Sequence, residues 1–101
     1  MICNKPKIDL GTLKEGETGF SNFTITNNGN TKINITATGA SCGCTSPKME
    51  LGELEPGESR DAHVSFNTKG RRGENFKNIY IDYIENKAIQ RFNLSLKCIV
   101  I

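Results

Sequence analysis

The chain has 101 residues, 36% hydrophobic and 24% charged, with 13 basic against 11 acidic side chains and a formal net charge of +2. A chain this short buries about two-thirds of its unfolded surface, enough for one modest core but not for a second domain or a large cofactor cradle. Near-balanced charge argues against a dedicated nucleic-acid or anionic-membrane surface, which needs a concentrated basic stripe, and no window approaches the run of about 18 apolar residues that marks a membrane span.

Eleven Ile, nine Thr and two Val outweigh four Ala. β-Branched side chains lose rotamer freedom in helices and pack well on a pleated sheet, so the expectation is all-β. In chain order, Ile8 and Leu10 alternate in a first strand ended by Gly11 and the turn Lys14-Glu15-Gly16-Glu17. Phe20 to Thr26 follows, with Phe23 and Ile25 on one face and Asn22, Thr24 and Thr26 on the other. Asn27-Asn28-Gly29-Asn30 reads as a hairpin turn leading into Lys32 to Thr38, where Ile33, Ile35 and Ala37 share a face.

Gly39 to Pro47 interrupts the alternation with small residues and two cysteines and reads as a loop, and Leu51 to Leu54 as a short edge strand. Pro56-Gly57-Glu58 is a turn in which proline presets φ. Arg60 to Asn67 sets Ala62, Val64 and Phe66 inward. Lys69-Gly70-Arg71-Arg72-Gly73 is an exposed basic turn whose ordinary role is to keep a loop solvated. Phe76 to Ile84 and Ile89 to Ile101 are the longest strands, and the last places Phe92, Leu94, Leu96, Cys98 and Val100 on one face. About seven strands without a helical period indicate an all-β, immunoglobulin-like β-sandwich, a single domain over residues 1–101 with its core at about 8–100.

Chemistry concentrates in the cysteines at positions 3, 42, 44 and 98. Cys98 lies on an apolar strand face and reads as a buried small hydrophobe, while Cys3 lies in a terminus expected to fray. In Ser41-Cys42-Gly43-Cys44-Thr45 the two thiols are two residues apart, so in an extended segment both face one side, with Gly43 allowing a tight bend between them. Three readings stand side by side: a packed structural pair, a redox-active pair closing a small disulfide, and a soft-metal site such as Cu(I) on Cys42 and Cys44. The metal reading lacks further ligands, because the one histidine, His63, falls on a strand's polar face. No catalytic set is recognisable either, with neither a Gly-x-Ser-x-Gly turn nor paired carboxylates.

Five segments in order carry a resemblance: Asp9 to Glu17, Phe23 to Gly29, Ser41 to Thr45, Pro56-Gly57-Glu58 and Val64-Ser65-Phe66. Together they resemble a bacterial, Bacteroidetes-type domain family of unknown function marked by Ser-Cys-Gly-Cys-Thr and related to the immunoglobulin-like domains of hydin and major sperm protein. The resemblance spans roughly Ile8 to Val100. It implies an immunoglobulin-like sandwich with no enzymatic activity, in a protein of the cell envelope or secreted. The N-terminus shows no signal peptide, which departs from that habit.

The functional expectation is a non-catalytic interaction or structural module. It needs no cofactor and engages a protein partner or neighbouring domain through a sheet edge, the Ser41–Thr45 segment or the Lys69–Arg72 turn. The alternative is thiol chemistry, soft-metal binding or disulfide exchange, at Cys42 and Cys44.

Overall fold

The computed structural model describes residues 1–101 and contains nine strands and no helix. These are β1 (Ile2–Cys3), β2 (Lys7–Leu13), β3 (Thr18–Thr26), β4 (Ile33–Ala40), β5 (Thr45–Met49), β6 (Gly52–Leu54), β7 (Ser59–Asn67), β8 (Gly73–Glu85) and β9 (Ala88–Val100). One sheet has the order β1-β3-β7-β5 and the other β2-β9-β8-β4-β6. The fold is the all-β, immunoglobulin-like sandwich expected, and the strands beyond the expected seven include the two-residue β1 and the separate β5.

The period-2 patterns explain what lies between the sheets. Phe23 and Ile25 of β3 and Ala62, Val64 and Phe66 of β7 face Ile33 and Ile35 of β4, Ile79 and Ile81 of β8, and Leu94, Leu96, Cys98 and Val100 of β9. Full burial of each large aliphatic or aromatic side chain contributes about 1.5–3 kcal/mol, so this alternation is the main driving force of the fold. Ile8 and Leu54 close the core from the edge strands β2 and β6.

Of the connections between successive strands, only β8–β9 stays within one sheet; every other crosses from one sheet to the other. That hairpin turns on Asn86 and Lys87 with φ of 50° and 65°, the two left-handed residues a type I′ turn requires.

Several local expectations are corrected. Asn27-Asn28-Gly29-Asn30 does not close a hairpin: β3 pairs with β1 and β7, whereas β4 pairs with β6 and β8. The same turn chemistry bends a chain between sheets as readily as within one. The first long strand does not stop at Gly11 but continues to Leu13 through a bulge in its parallel pairing with β9, where Gly11 takes a φ of 70°. In β4 the register shifts between Ile35 and Ala37. That bulge sets Ala37 opposite Asp82 on the outer face and Thr38 opposite the buried Ile81, against the simple alternation. The loop expected over Gly39 to Pro47 is shorter, since β4 runs to Ala40 and β5 begins at Thr45. Cys3 is not frayed; it pairs with Ile25 and packs on the core.

Candidate functional site

The Ser41–Cys44 segment is the crossover from the end of β4 in one sheet to the start of β5 in the other. Ser41 anchors its first end twice, donating its N–H to the Asn78 carbonyl at 2.9 Å and accepting the Asn78 N–H on its Oγ at 3.0 Å. The Thr45 N–H closes a turn on the Cys42 carbonyl at 3.1 Å, and the Asn67 N–H binds the Cys44 carbonyl at 2.8 Å. The backbone is therefore held by four hydrogen bonds that do not pass through sulfur.

Within this frame Cys42 and Cys44 form a disulfide, their Cα atoms 5.2 Å apart. The Cys44 N–H donates to Cys42 Sγ at 3.2 Å, and Cys44 Sγ lies 3.6 Å from the Thr45 hydroxyl. The two sulfur-bearing residues are not equivalent: Cys42 is half-buried, whereas Cys44 and Thr45 are buried. Gly43 is exposed, lies outside the left-handed region, and a Cβ there would meet open space; the bend does not depend on glycine, contrary to the expectation for that position. No group of three or more His, Cys, Asp or Glu side chains is placed to hold a metal ion.

The remaining candidates are scattered. His63 is exposed on the outer face of β7 with its Nδ1 2.5 Å from Asn22 Oδ1. Cys98 is fully buried on β9, and burial pushes its thiol up from the ordinary range, with the Asp9 carboxylate adding in the same direction. Burial also raises Cys3, which accepts the Lys5 N–H at 3.4 Å. The basic turn is partly neutralised: Glu15 accepts the Gly70 N–H at 3.1 Å and pairs with Arg72 at 2.7 Å, and these two bonds hold its carboxyl below the usual range. A cluster of three cations is thereby reduced to a solvated loop tied to the β2–β3 turn.

Sheet edges are the other feature that can bind. The edge of β5 is blunted: the Thr45 N–H is used by the Cys42 carbonyl, and Pro47 has no N–H. β2 carries its bulge and β6 is three residues long. β3 differs. Gly19, Ser21, Phe23 and Ile25 are opposite Phe66, Val64, Ala62 and Arg60 of β7, while Thr24 turns its main-chain groups the other way, to Asn4. By the same alternation, the N–H and C=O groups of Phe20 and Asn22 also point away from β7, and on that side β3 is paired only by β1, at Ile25 and Thr26. The Phe20 side chain beside this open stretch is 74% exposed. Its signal was present in the sequence, because Phe20 falls out of phase with Phe23 and Ile25, but which edge stays open depends on pairings remote along the chain.

A shallow groove of about 240 Å³ lies on the outer face of the other sheet, lined by Lys7, Ile8 and Asp9 of β2, Phe76 of β8 and Ser95, Leu96 and Lys97 of β9. The Lys97 ammonium stands 6.0 Å from the Phe76 ring centroid. Nearby, Arg91 lies 4.0 Å over the Tyr80 ring and makes two hydrogen bonds to Asp82, at 2.7 and 3.1 Å. No helix is long and apolar enough to cross a membrane.

Comparison with known proteins places the geometry in context. Residues 1–100 match the family described as "Protein of unknown function (DUF1573)". No curated protein matches the sequence. Among solved structures, the ASH/PapD-like domain 7 of human CEP192 superposes with a TM-score of 0.79 at 16% identity, covering 99% of this chain and 84% of that one. The Caenorhabditis elegans MSP-domain protein SSP-19 gives 0.71 at 11% identity, over 98% and 99%. The Vibrio cholerae VesB protease gives 0.77 at 15% identity, over 96% of this chain but only 31% of the protease. At these identities the likeness is one of fold: a PapD-like, MSP-like immunoglobulin sandwich.

Proposed function

We propose that this chain, which belongs to the DUF1573 family of proteins of unknown function, is a non-catalytic interaction module that captures an extended segment of another protein by strand addition. The observation that carries the reading is the open edge of β3, where the main-chain groups of Phe20 and Asn22 face outward beside an exposed phenylalanine. A strand laid along Phe20 and Asn22 gains main-chain hydrogen bonds for affinity and uses Phe20 to prefer an apolar side chain at alternate positions. The other three sheet edges are each interrupted by a proline, a bulge or shortness, which are the ordinary protections against such pairing. That one edge lacks them is what favours it as the docking surface.

The reading extends to residues 1–101 acting as one domain, to a bacterial, Bacteroidetes-type origin and to a cell-envelope or secreted setting, which rest on the sequence resemblance. It gives no role to a cofactor or to nucleic acid. The scattering of His63, Cys98 and the carboxylates supports a non-catalytic role, because acid–base or nucleophilic chemistry needs such groups within hydrogen-bond reach of each other.

The test is selection of short peptides on the intact chain, followed by amide hydrogen exchange with the selected peptide bound. Protection of the Phe20 and Asn22 amides, together with at least tenfold weaker binding to F20E, supports the proposal. Protection confined to the Lys7–Lys97 groove, selection of no peptide, or concentration-dependent dimerisation through β3 in place of peptide binding overturns it.

A further inference from the structure

We propose that the Cys42–Cys44 disulfide is a reversible thiol–disulfide exchange site, with Cys42 the sulfur that partners attack and Cys44 the resolving sulfur. This inference is independent of the β3 edge. Three observations on the crossover carry it.

The bond is not placed as a staple. It joins residues two apart in sequence within one turn, and the stabilisation a disulfide gives by restricting the unfolded chain grows with the length of the loop it closes. A bridge between strands far apart in the chain, such as β3 and β9, would close a long loop; this one closes only the turn around Gly43.

The turn is held without it. The bonds of Ser41 to Asn78, Thr45 to Cys42 and Asn67 to Cys44 are all made by backbone groups or the Ser41 hydroxyl. Reduction therefore leaves the two sulfurs side by side, ready to close again, and leaves the sheets unchanged.

The two sulfurs occupy different surroundings. Cys42 is half-buried and open to solvent on one side, whereas Cys44 is 8% exposed and faces the Thr45 hydroxyl at 3.6 Å. A thiolate arriving from solvent reaches Cys42 first. The Cys44 N–H, 3.2 Å from Cys42 Sγ, is placed to stabilise negative charge on that sulfur when it is released.

The reaction partner is a dithiol, and the step balances as follows. One thiolate of the dithiol attacks Cys42 Sγ, forming a mixed disulfide. The Cys42–Cys44 bond breaks, its electron pair leaves on Cys44 Sγ, and Cys44 takes up the proton the attacking thiol gave up. The second thiol of the partner then loses its proton to solvent and attacks the partner's own sulfur in the mixed disulfide, expelling Cys42 as a thiolate that takes a proton from solvent in turn. Two electrons and two protons pass to the chain, and the partner is left as a disulfide. The reverse sequence oxidises the chain and begins with the Cys42 thiolate.

The experiment uses the whole chain, with dithiothreitol as reductant and oxidised glutathione as the trapping probe, and locates modified sulfurs by peptide mapping. In the native state, dithiothreitol is expected to make Cys42 and Cys44 available to an alkylating reagent while Cys98 stays unlabelled, with cooperative unfolding retained. In the reduced chain, substoichiometric iodoacetamide is expected to label Cys42 at least tenfold faster than Cys44. Glutathione is expected to be trapped at Cys42 in C44S at least tenfold faster than at Cys44 in C42S. The wild-type alkylation keeps the proposal testable if either variant fails to fold. Equal labelling of the two sulfurs, loss of the fold on reduction, failure of the pair to oxidise with glutathione, or a soft metal ion bound stoichiometrically by the reduced pair overturns it.

Discussion

The side-chain amide of Asn27, just past the end of β3, donates to the carbonyl of Leu54 in β6 at 3.0 Å and so ties the two sheets together at a buried point. Its Nδ2 also reaches the Thr31 carbonyl at 2.9 Å, and its Oδ1 accepts the Gly29 N–H at 3.0 Å. The Asn27 backbone joins the β6–β7 turn, N–H to Glu58 and carbonyl from Gly57. One asparagine thus fixes both the β3–β4 crossover and the turn beside it, with every polar atom satisfied.

Asn27→Ala leaves the Leu54 and Thr31 carbonyls without this donor, and an unpaired buried polar group costs about 1–3 kcal/mol. Urea denaturation is expected to show a loss of about 2–4 kcal/mol with the slope unchanged. Asn27→Asp is expected to be at least as damaging, because it turns an oxygen toward two carbonyl oxygens. A loss under about 0.5 kcal/mol, the ordinary range for a surface position, would show that the crossover is held elsewhere.

On the outer face of the other sheet, the Tyr80 ring lies across Gly39, its partner in the β4–β8 ladder, so closely that a Cβ at position 39 would collide with the phenol. The absence of a side chain there is what lets Tyr80 lie down and Arg91 stack on it. Gly39→Ala is expected to destabilise by about 1 kcal/mol, the low end for overpacking because the ring is half-exposed and can swing away. In a double-mutant cycle, Tyr80→Ala is expected to remove most of that penalty. Additive losses would mean that the methyl group strains the strand and not the ring.

Much of this architecture is legible in the sequence, and the parts that are not share a cause. Ile33, Ile35, Val64, Phe66, Leu94 and Leu96 announce buried faces because period-2 alternation is a local property. Asn27 to Asn30 announces a turn for the same reason. Which strand receives the chain after that turn depends on pairings tens of residues away, so a crossover and a hairpin look alike. The bulge at Thr36 adds one residue and reverses the faces of Ala37 and Thr38, a shift no alternation rule foresees. Pro47 reads as the end of a loop, yet sits inside β5, where its missing N–H faces an unpaired edge. At the cysteine pair, the spacing is legible and the difference in exposure between Cys42 and Cys44 is not, because it is set by Asn67 and Asn78 from two other strands.

Two carboxylates set the expected acid response. Arg91 hydrogen-bonds Asp82 and holds it below its usual range, and the Gly70 N–H and then Arg72 do the same for Glu15. A carboxyl whose folded pKa is depressed favours the folded state above its unfolded value, near pH 4, and that contribution is lost as pH falls through the folded value. Thermal unfolding midpoints are therefore expected to be level from pH 7 to about 5 and to fall below about 4. Glu15 is exposed and Asp82 only half-buried, so added salt is expected to shrink the effect. The double variant E15Q/D82N is expected to flatten the acid limb; a limb of unchanged steepness would place the responsible protons on other groups.

Pro47 gives the final expectation, because it tests whether edge protection is what distinguishes β5 from β3. Asn67 bonds the Cys44 carbonyl, so by alternation Ser46 and Lys48 turn their main-chain groups toward β7 and Pro47 turns its own toward solvent. Pro47→Thr restores an outward N–H next to Met49 and places a β-branched, strand-compatible residue opposite Val64. No ladder hydrogen bond of the monomer changes, so folded stability is expected to move by less than about 1 kcal/mol, within the spread of ordinary substitutions. Self-association is expected to increase, read as a concentration-dependent mass by light scattering, since an unprotected edge pairs with any available strand. If the P47T chain stays as monodisperse as wild type, an open donor on β5 is not enough to recruit a strand. The β3 edge would then owe any selectivity to Phe20, and F20E would be the decisive variant at that edge.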